Sequence, residues 1–200
     1  MEEKSFLRAI AADPSDDLPR LVYADWLEER DDPRAAFLRT EVSLARSGLT
    51  AEARAELLQH RITIDPAWWS QVARSATFPP VIFRCAICQL PLTGPLRLLA
   101  DAVWLGEGDS KPLVPAGFFW KSDGNAWNGT AGHYCVNLAD LRNVKPHPDN
   151  RRRNGCCGMD GCDGMNTVCG NGHEVGTECS DCWMPHFFHL APTAVEVLQV

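Results

Sequence analysis

The positions of the cysteines limit most strongly which fold this chain can adopt. All nine cysteines of the 200 residues lie at or after Cys85, and Gly48 alone among 15 glycines precedes residue 80. Residues 1–76 are rich in Ala, Leu, Arg and Glu, which favour helices. The later residues are rich in Gly, Cys, Pro and aromatic side chains, which favour short strands and loops. We therefore predict an α+β protein with a helical domain at 1–76 and a mostly β, Cys-rich domain at 80–200.

Charge and hydropathy exclude several classes of protein. The net charge of -7 argues against a protein whose main partner is nucleic acid. No apolar run approaches the ~18 to 20 residues of a membrane-spanning helix. The first residues are acidic and amphipathic, unlike a secretion signal with a basic start and a hydrophobic core. We expect a cytoplasmic protein that does not span a membrane.

Apolar residues recur at helical spacing in the first domain. Phe6, Leu7 and Ile10 predict a first helix that ends at Asp13, because the residue before Pro14 avoids the α region. A second helix is expected after Asp16 or Asp17. Its predicted apolar face comprises Leu18, Leu21, Val22, Ala24 or Asp25, and Leu27.

Two prolines mark later helix starts in the same domain. Pro33 predicts a third helix that Gly48 ends, since proline suits a first helical turn and glycine follows a last one. A fourth helix is predicted over residues 50–62. A short helical turn is expected from Pro66 to the tryptophan pair Trp68 and Trp69. We interpret these apolar stripes as the core of a small helical domain.

These helices carry a motif that resembles a known family. Residues 6–10 read FLRAI, residues 19–30 read PRLVYADWLEER, and residues 32–39 begin DPRA and end FLR. This pattern resembles the bacterial repeat-companion domain over about residues 3–46, and the YADWLE core at 23–28 is its most specific part. The resemblance implies a bacterial protein with an accessory, modular N-terminal segment. It implies no biochemical activity.

The chemistry of the second domain begins with Cys85 and Cys88. They follow the apolar residues 81–83 and precede a turn, so both thiolates can face one cation at ~2.3 Å, as in a zinc knuckle. Thiol metal binding is favoured over disulfides in a bacterial cytosol, and nine is an odd number of cysteines. Inert buried cysteines are a further alternative. We predict zinc as the cofactor.

The spacing of the cysteines along the sequence limits which of them can complete the zinc site. If residues 173–178 form a strand at ~3.3 Å per residue, Cys169 and Cys182 lie too far apart to share one site, unless Gly176 turns the chain. We then expect Cys85 and Cys88 to share a metal with Cys156 or Cys157 and with Cys169 or Cys182. One or two zinc ions are both compatible with this. The predicted metal ligands are Cys85, Cys88, Cys156, Cys157, Cys169 and Cys182, with Cys135, Cys162 and Cys179 as bystanders.

The second domain also resembles a group of uncharacterised bacterial proteins. They share a CxxC hairpin and distal motifs that correspond here to residues 154–158, 163–164, 166–169 and 181–183. This resemblance implies no assigned reaction.

Three functions remain open from the sequence. The first is a non-enzymatic, zinc-stabilised binding or adaptor module whose partner is another protein. The second is a zinc-dependent hydrolase with an open metal position near His173, Glu178 and His186, although no HExxH helix is present. The third is nucleic-acid binding through Arg151, Arg152 and Arg153, which are also typical of a solvated surface loop. We favour the adaptor module.

Overall fold

The computed structural model describes residues 3–13, 15–47, 64–73, 80–99 and 105–200. The chain divides into two compact units, residues 1–78 and 79–200. The first unit contributes helices and the second contributes strands, so the predicted α+β class is confirmed. The predicted helix at 50–62 and the predicted stop at Gly48 lie outside the described residues. No helix within the described ranges is long and apolar enough to cross a membrane.

Four α-helices form the described part of the first unit. They are α1 (Glu3–Ala12), α2 (Leu18–Glu28), α3 (Arg34–Ser47) and α4 (Pro66–Val72). Helix α1 ends just before Asp13, as Pro14 predicts. Helices α3 and α4 confirm the starts expected near Pro33 and Pro66. Local proline signals therefore determine several of the helix ends.

An aromatic cluster forms the core of the first unit. The Phe6 and Tyr23 rings stack at 5.2 Å between centroids, and Phe37 meets Trp68 edge-on at 5.7 Å. Trp68 Nε1 donates to the Tyr23 hydroxyl at 3.0 Å, and that hydroxyl donates to Glu3. Burial, followed by the Glu3 carboxylate, raises the pKa of Tyr23 to about 12. The cluster joins α1, α2, α3 and α4.

The predicted apolar face of α2 is only partly correct. Ala24 and Leu27 are buried as predicted, but Leu18 and Val22 are 63% and 44% exposed, and Arg20 and Tyr23 are buried in their place. Arg20 is fully buried because its guanidinium donates to the carbonyls of Val72 and Ala73 at the end of α4, at 2.8 and 3.4 Å. Residues at the end of a helix present carbonyls without helical partners, and this arginine satisfies two of them. A charged residue thereby takes part in the packed face.

The second unit contains two sheets. β1 (Val81–Cys85) pairs antiparallel with β9 (Val195–Gln199). The larger sheet has the order β2-β3-β4-β8-β7-β6-β5, antiparallel except for the β2–β3 pair. Its strands are β2 (Arg97–Leu98), β3 (Phe118–Lys121), β4 (Tyr134–Val136), β5 (Val144–Pro146), β6 (Thr167–Cys169), β7 (Glu174–Cys179) and β8 (Phe187–Leu190).

The core of the second unit lies between these sheets. Phe83 of β1 meets Phe119 of β3 edge-on at 5.1 Å and Tyr134 of β4 at 4.9 Å. Cys85 and Cys169 belong to the same buried cluster, so two thiols lie among apolar side chains. The cysteines at the ends of β1 and β6 therefore lie at the edge of this core.

Candidate metal centres

Two tight turns form a first thiol cluster, which comprises Cys85, Cys88, Cys169 and His173. Cys85 ends β1, and the chain turns at once, because Gln89 N donates to Cys85 O at 2.9 Å and Cys85 N donates to Leu90 O at 3.0 Å. This turn brings Cys88 back beside Cys85. Sγ of Cys85 and Sγ of Cys88 therefore lie within 4.8 Å of each other, close enough to share one metal ion.

The β6–β7 hairpin supplies the other half of the first thiol cluster. Cys169 ends β6 and His173 immediately precedes β7. Cys169 N donates to His173 O, and Gly172 N donates to Cys169 O, both at 2.8 Å. Gly172 has φ +92°, a conformation that L side chains rarely adopt. The hairpin therefore fixes the spacing between the Cys169 thiol and the His173 imidazole.

Three of the six separations between the donor atoms of the first thiol cluster match a tetrahedral site, and all four donor atoms lie within 4.8 Å of one another. Sγ of Cys88 and Cys169 are 3.7 Å apart, and His173 Nδ1 lies 3.6 Å from Cys85 Sγ and 3.5 Å from Cys169 Sγ. Around tetrahedral zinc, bonds of about 2.3 Å to sulfur and about 2.05 Å to nitrogen give edges of about 3.8 and 3.6 Å. This cluster can hold a metal ion with all four positions filled by the protein.

Burial and hydrogen bonding act differently on the first two thiols. Burial raises the pKa of Cys85, which is fully buried. The backbone N–H of Leu90 lowers the pKa of Cys88 to about 6, so Cys88 is largely a thiolate at neutral pH. Thiolates, not thiols, are metal ligands.

A second thiol cluster comprises Cys156, Cys157, Asp181 and Cys182. Sγ of Cys156 lies 3.1 Å from Sγ of Cys182 and 3.7 Å from Sγ of Cys157. All three cysteines are exposed, whereas Asp181 is buried. This cluster can also hold a metal ion, at the surface.

Asp181 organises the two loops that meet at the second thiol cluster. Its carboxylate accepts the backbone N–H groups of Cys156, Cys157 and Cys182 at 2.8 to 3.0 Å. The same N–H donors hold the pKa of Asp181 well below its usual range. The loops approach closely because residue 158 is glycine: a Cβ there would lie 2.1 Å from the Ser180 carbonyl oxygen.

The six predicted ligands all lie in these two clusters, but their grouping differs from the expectation. The shared site of Cys85 and Cys88 with Cys156 or Cys157 does not form, because Cys169 and His173 complete the first thiol cluster. Strand β7 separates Cys169 from Cys182, as its extended length predicts, and no turn occurs at Gly176. The predicted ligands therefore form two groups, and of the two distal segments expected beside Cys85 and Cys88, only the one with Cys169 lies there.

Two members of the clusters were absent from the predicted ligand set. His173 had no assigned role in the sequence beyond the hydrolase alternative, although its position four residues after Cys169 in a Gly-rich turn is a usable signal. Asp181 was missed altogether. The three N–H groups that surround its carboxylate come from two distant segments, so no local spacing reveals them.

The three cysteines expected to be bystanders lie outside both clusters. Cys135 and Cys179 are buried, and burial raises the pKa of both thiols, that of Cys179 to about 12. Cys162 is exposed, unlike a small apolar core residue. The buried pair therefore remains protonated at neutral pH.

The structure does not assemble the hydrolase site, and in the arginine loop it pairs two guanidinium groups with carboxylates. His173, Glu178 and His186 form no metal-binding group within the described ranges, and Glu178 instead accepts a hydrogen bond from Ser180 Oγ at 2.8 Å. In the arginine loop, Arg151 pairs with Asp149 at 2.7 Å and Arg152 pairs with Glu174 at 2.6 Å. Two of the three guanidinium groups therefore already bind carboxylates.

No protein-family model, no curated protein and no solved structure matches the chain. The geometry of the two clusters is therefore the basis for assigning a function.

Proposed function

We propose that the chain is a non-enzymatic, zinc-stabilised binding or adaptor module of a bacterial protein. The supporting observation is the first thiol cluster, in which three sulfurs and one imidazole nitrogen lie together and three of their separations match the edges of a zinc tetrahedron. A site with four protein ligands leaves no position for substrate or water. Closed sites of this kind stabilise folds rather than perform reactions.

Zinc is the metal that fits the donor set of the first thiol cluster. Tetrahedral sites with sulfur and nitrogen donors are typical of zinc or iron–sulfur centres, and thiolates discriminate against calcium and magnesium. Iron–sulfur clusters are usually held by four cysteine thiolates, whereas this cluster offers three thiols and His173. We therefore assign zinc to it.

The proposed zinc holds the second unit together. Cys85 lies at the end of β1 in the two-stranded sheet, while Cys169 ends β6 in the seven-stranded sheet. Cys88 and Cys169 are 81 residues apart in the sequence. A metal that joins them closes a long loop and ties one sheet to the other. Its binding free energy is then part of the folding free energy.

The second thiol cluster is the proposed place of a second zinc ion. Its sulfur ligands are Cys156, Cys157 and Cys182, so that the two clusters together use all six cysteines of the predicted ligand set. Thiolates at 3.1 and 3.7 Å from one another bring their charges close together, which a divalent cation offsets.

The proposed partner is another protein. Ile87 at the tip of the knuckle is 70% exposed, which offers an apolar contact on a turn that the zinc makes rigid. The net charge of -7 and the carboxylate pairing of Arg151 and Arg152 argue against a nucleic-acid partner. The helical first unit corresponds, in this proposal, to the repeat-companion domain.

A pair of variants tests the assignment. Cys88→Ser is expected to lose zinc from the first thiol cluster together with the fold of the second unit, whereas His186→Ala is expected to keep its zinc. Zinc content and thermal melts of both proteins are the measurements. Zinc loss in His186→Ala with an unchanged melt would contradict the adaptor module and favour a catalytic metal.

A further inference from the structure

We propose that the second thiol cluster is an open metal site, whose zinc binds three thiolates of this chain and a neutral nitrogen ligand supplied from outside. The inference rests on the proposed zinc at Cys156, Cys157 and Cys182. It adds a ligand-binding function to the module, because the external nitrogen donor is exchangeable. A histidine side chain of a partner protein has the required chemistry.

Asp181 does not supply the fourth ligand. A carboxylate offers about four lone-pair sites on its two oxygens. Oδ1 accepts the backbone N–H groups of Cys157 and Cys182, and Oδ2 accepts the backbone N–H of Cys156 and the indole N–H of Trp183, at 2.8 to 3.0 Å. Oδ1 also accepts the Cys156 thiol at 3.2 Å, and this fifth bond is lost when Cys156 is a thiolate, which leaves the four N–H bonds. Coordination by Asp181 would break one of these four bonds in a buried position. Its role is to hold the thiols in place.

No further donor closes the site. Within the described ranges, the group of potential ligands contains only the three cysteines and Asp181. The three thiols are exposed, so the side of the cluster away from Asp181 faces solvent. This contrasts with the first thiol cluster, where Cys85 and Cys169 are fully buried and His173 supplies a fourth donor.

The charge of the site selects a neutral ligand. Three thiolates and the Asp181 carboxylate carry four negative charges, and zinc offsets two of them. A further hard anion such as a carboxylate or phosphate would meet two uncompensated negative charges at short distance. Imidazole nitrogen binds zinc well and brings no charge.

Trp183 provides a surface beside the open position. Its indole Nε1 donates to Asp181 at 2.9 Å, and its ring packs at 6.3 Å from that of Trp127, so its orientation is fixed next to the cluster. The side chain is nevertheless 53% exposed. An exposed aromatic ring next to the metal can stack against an incoming imidazole.

Cobalt substitution tests the open position. The full chain is reduced with a phosphine, loaded anaerobically with Co²⁺ and titrated with imidazole while the visible spectrum is recorded. We expect two cobalt ions per chain and a saturable spectral change that corresponds to one imidazole per chain. Acetate at the same concentration should leave the spectrum unchanged.

Two variants locate the response. The double variant Cys156→Ser with Cys182→Ser should bind one cobalt ion and show no imidazole response. Cys162→Ser, which changes an exposed cysteine outside both clusters, should behave as the unmodified chain. If the double variant does not fold, Cys157→Ser gives the same comparison from a different ligand.

The outcomes separate this inference from the proposed function. Two bound cobalt ions with no response to imidazole would overturn the open position, and an equal response to acetate would overturn the charge argument. A single cobalt ion that the double variant retains would overturn the second site and leave the first intact. Absence of any bound cobalt would contradict the proposed function itself.

Discussion

Different interactions stabilise the two units of this protein. The first unit has no cysteine, and an aromatic cluster and the buried Arg20 pack its helices. The second unit carries all nine cysteines, and six of them gather in two clusters at the ends of strands and loops. A helix satisfies most of its backbone hydrogen bonds within itself and packs through one apolar stripe, whereas each strand needs a partner strand that is often distant in the sequence. Thiol clusters are one way to offset that difference.

Metal removal should produce the largest difference in stability between the two units. Chelation is expected to unfold residues 80–200 while much of the helix content of the first unit remains, because structural zinc sites contribute roughly 10 to 16 kcal/mol to folding in small domains. Near-UV circular dichroism reports the tertiary packing, and far-UV circular dichroism reports the helices. If the near-UV signal is unchanged in protein shown to be free of zinc, the metal does not stabilise the second unit.

Replacement of Arg20 should have the largest effect in the first unit. Arg20→Met keeps much of the side-chain volume but leaves the Val72 and Ala73 carbonyls without this donor. We expect a loss of about 3 kcal/mol in the free energy of unfolding, since charge-assisted hydrogen bonds in buried positions contribute about 1.5 to 3 kcal/mol each. Urea denaturation followed by helix ellipticity measures it.

Arg39→Met is the matched control for Arg20→Met. Arg39 of α3 pairs with Asp25 and Glu28 of α2 at the exposed surface of the first unit. Exposed ion pairs contribute at most about 1 kcal/mol. Equal losses for the two variants would show that the buried guanidinium has no special part in the helical core.

Mild acid should weaken the second unit through His189. Burial, with a smaller contribution from His133, lowers the pKa of His189 to about 4 from its usual 6.5. The unfolded chain therefore binds the proton more readily than the folded chain. The contribution of neutral His189 to the free energy of unfolding is complete above pH 6.5 and is lost as the pH falls toward 4. At pH 5 the loss is about 2 kcal/mol.

The variant His189→Gln isolates this pH effect. Glutamine does not titrate, and it retains a polar group opposite His133 Nδ1, which lies 2.9 Å from His189 Nδ1. The metal ligands are unchanged, so acid release of zinc affects both proteins alike. Thermal melts between pH 6.5 and 5 should show a shallower decline for the variant, and parallel declines would exclude His189 as the cause.

The smallest effect is expected at Cys162. This thiol is exposed and lies outside both clusters. Cys162→Ser should change the free energy of unfolding by no more than about 0.5 kcal/mol, as for other surface substitutions, and should leave the zinc content unaltered. A large loss of stability or of zinc would mean that the thiol requirement of the second unit extends beyond the six clustered cysteines.

The sequence by itself determined the α+β class, the order of helices before strands and several helix ends, because proline acts on its immediate neighbours. It also indicated that Cys85 and Cys88 lie on one turn and that an extended strand separates Cys169 from Cys182. The class follows from the composition of each region, and the other features depend on short stretches of chain. Backbone geometry over such distances leaves few alternatives.

The tertiary structure decided the rest. Arg20 is buried because α4 brings two carbonyls to it. The first thiol cluster forms because the fold places the turn after β1 beside the β6–β7 hairpin. Asp181 gathers N–H groups from loops that are about 25 residues apart. Such groupings depend on strand order and on the approach of distant segments, which local spacing does not encode. Residue types thus indicated metal chemistry, while the fold selected which thiols share a site.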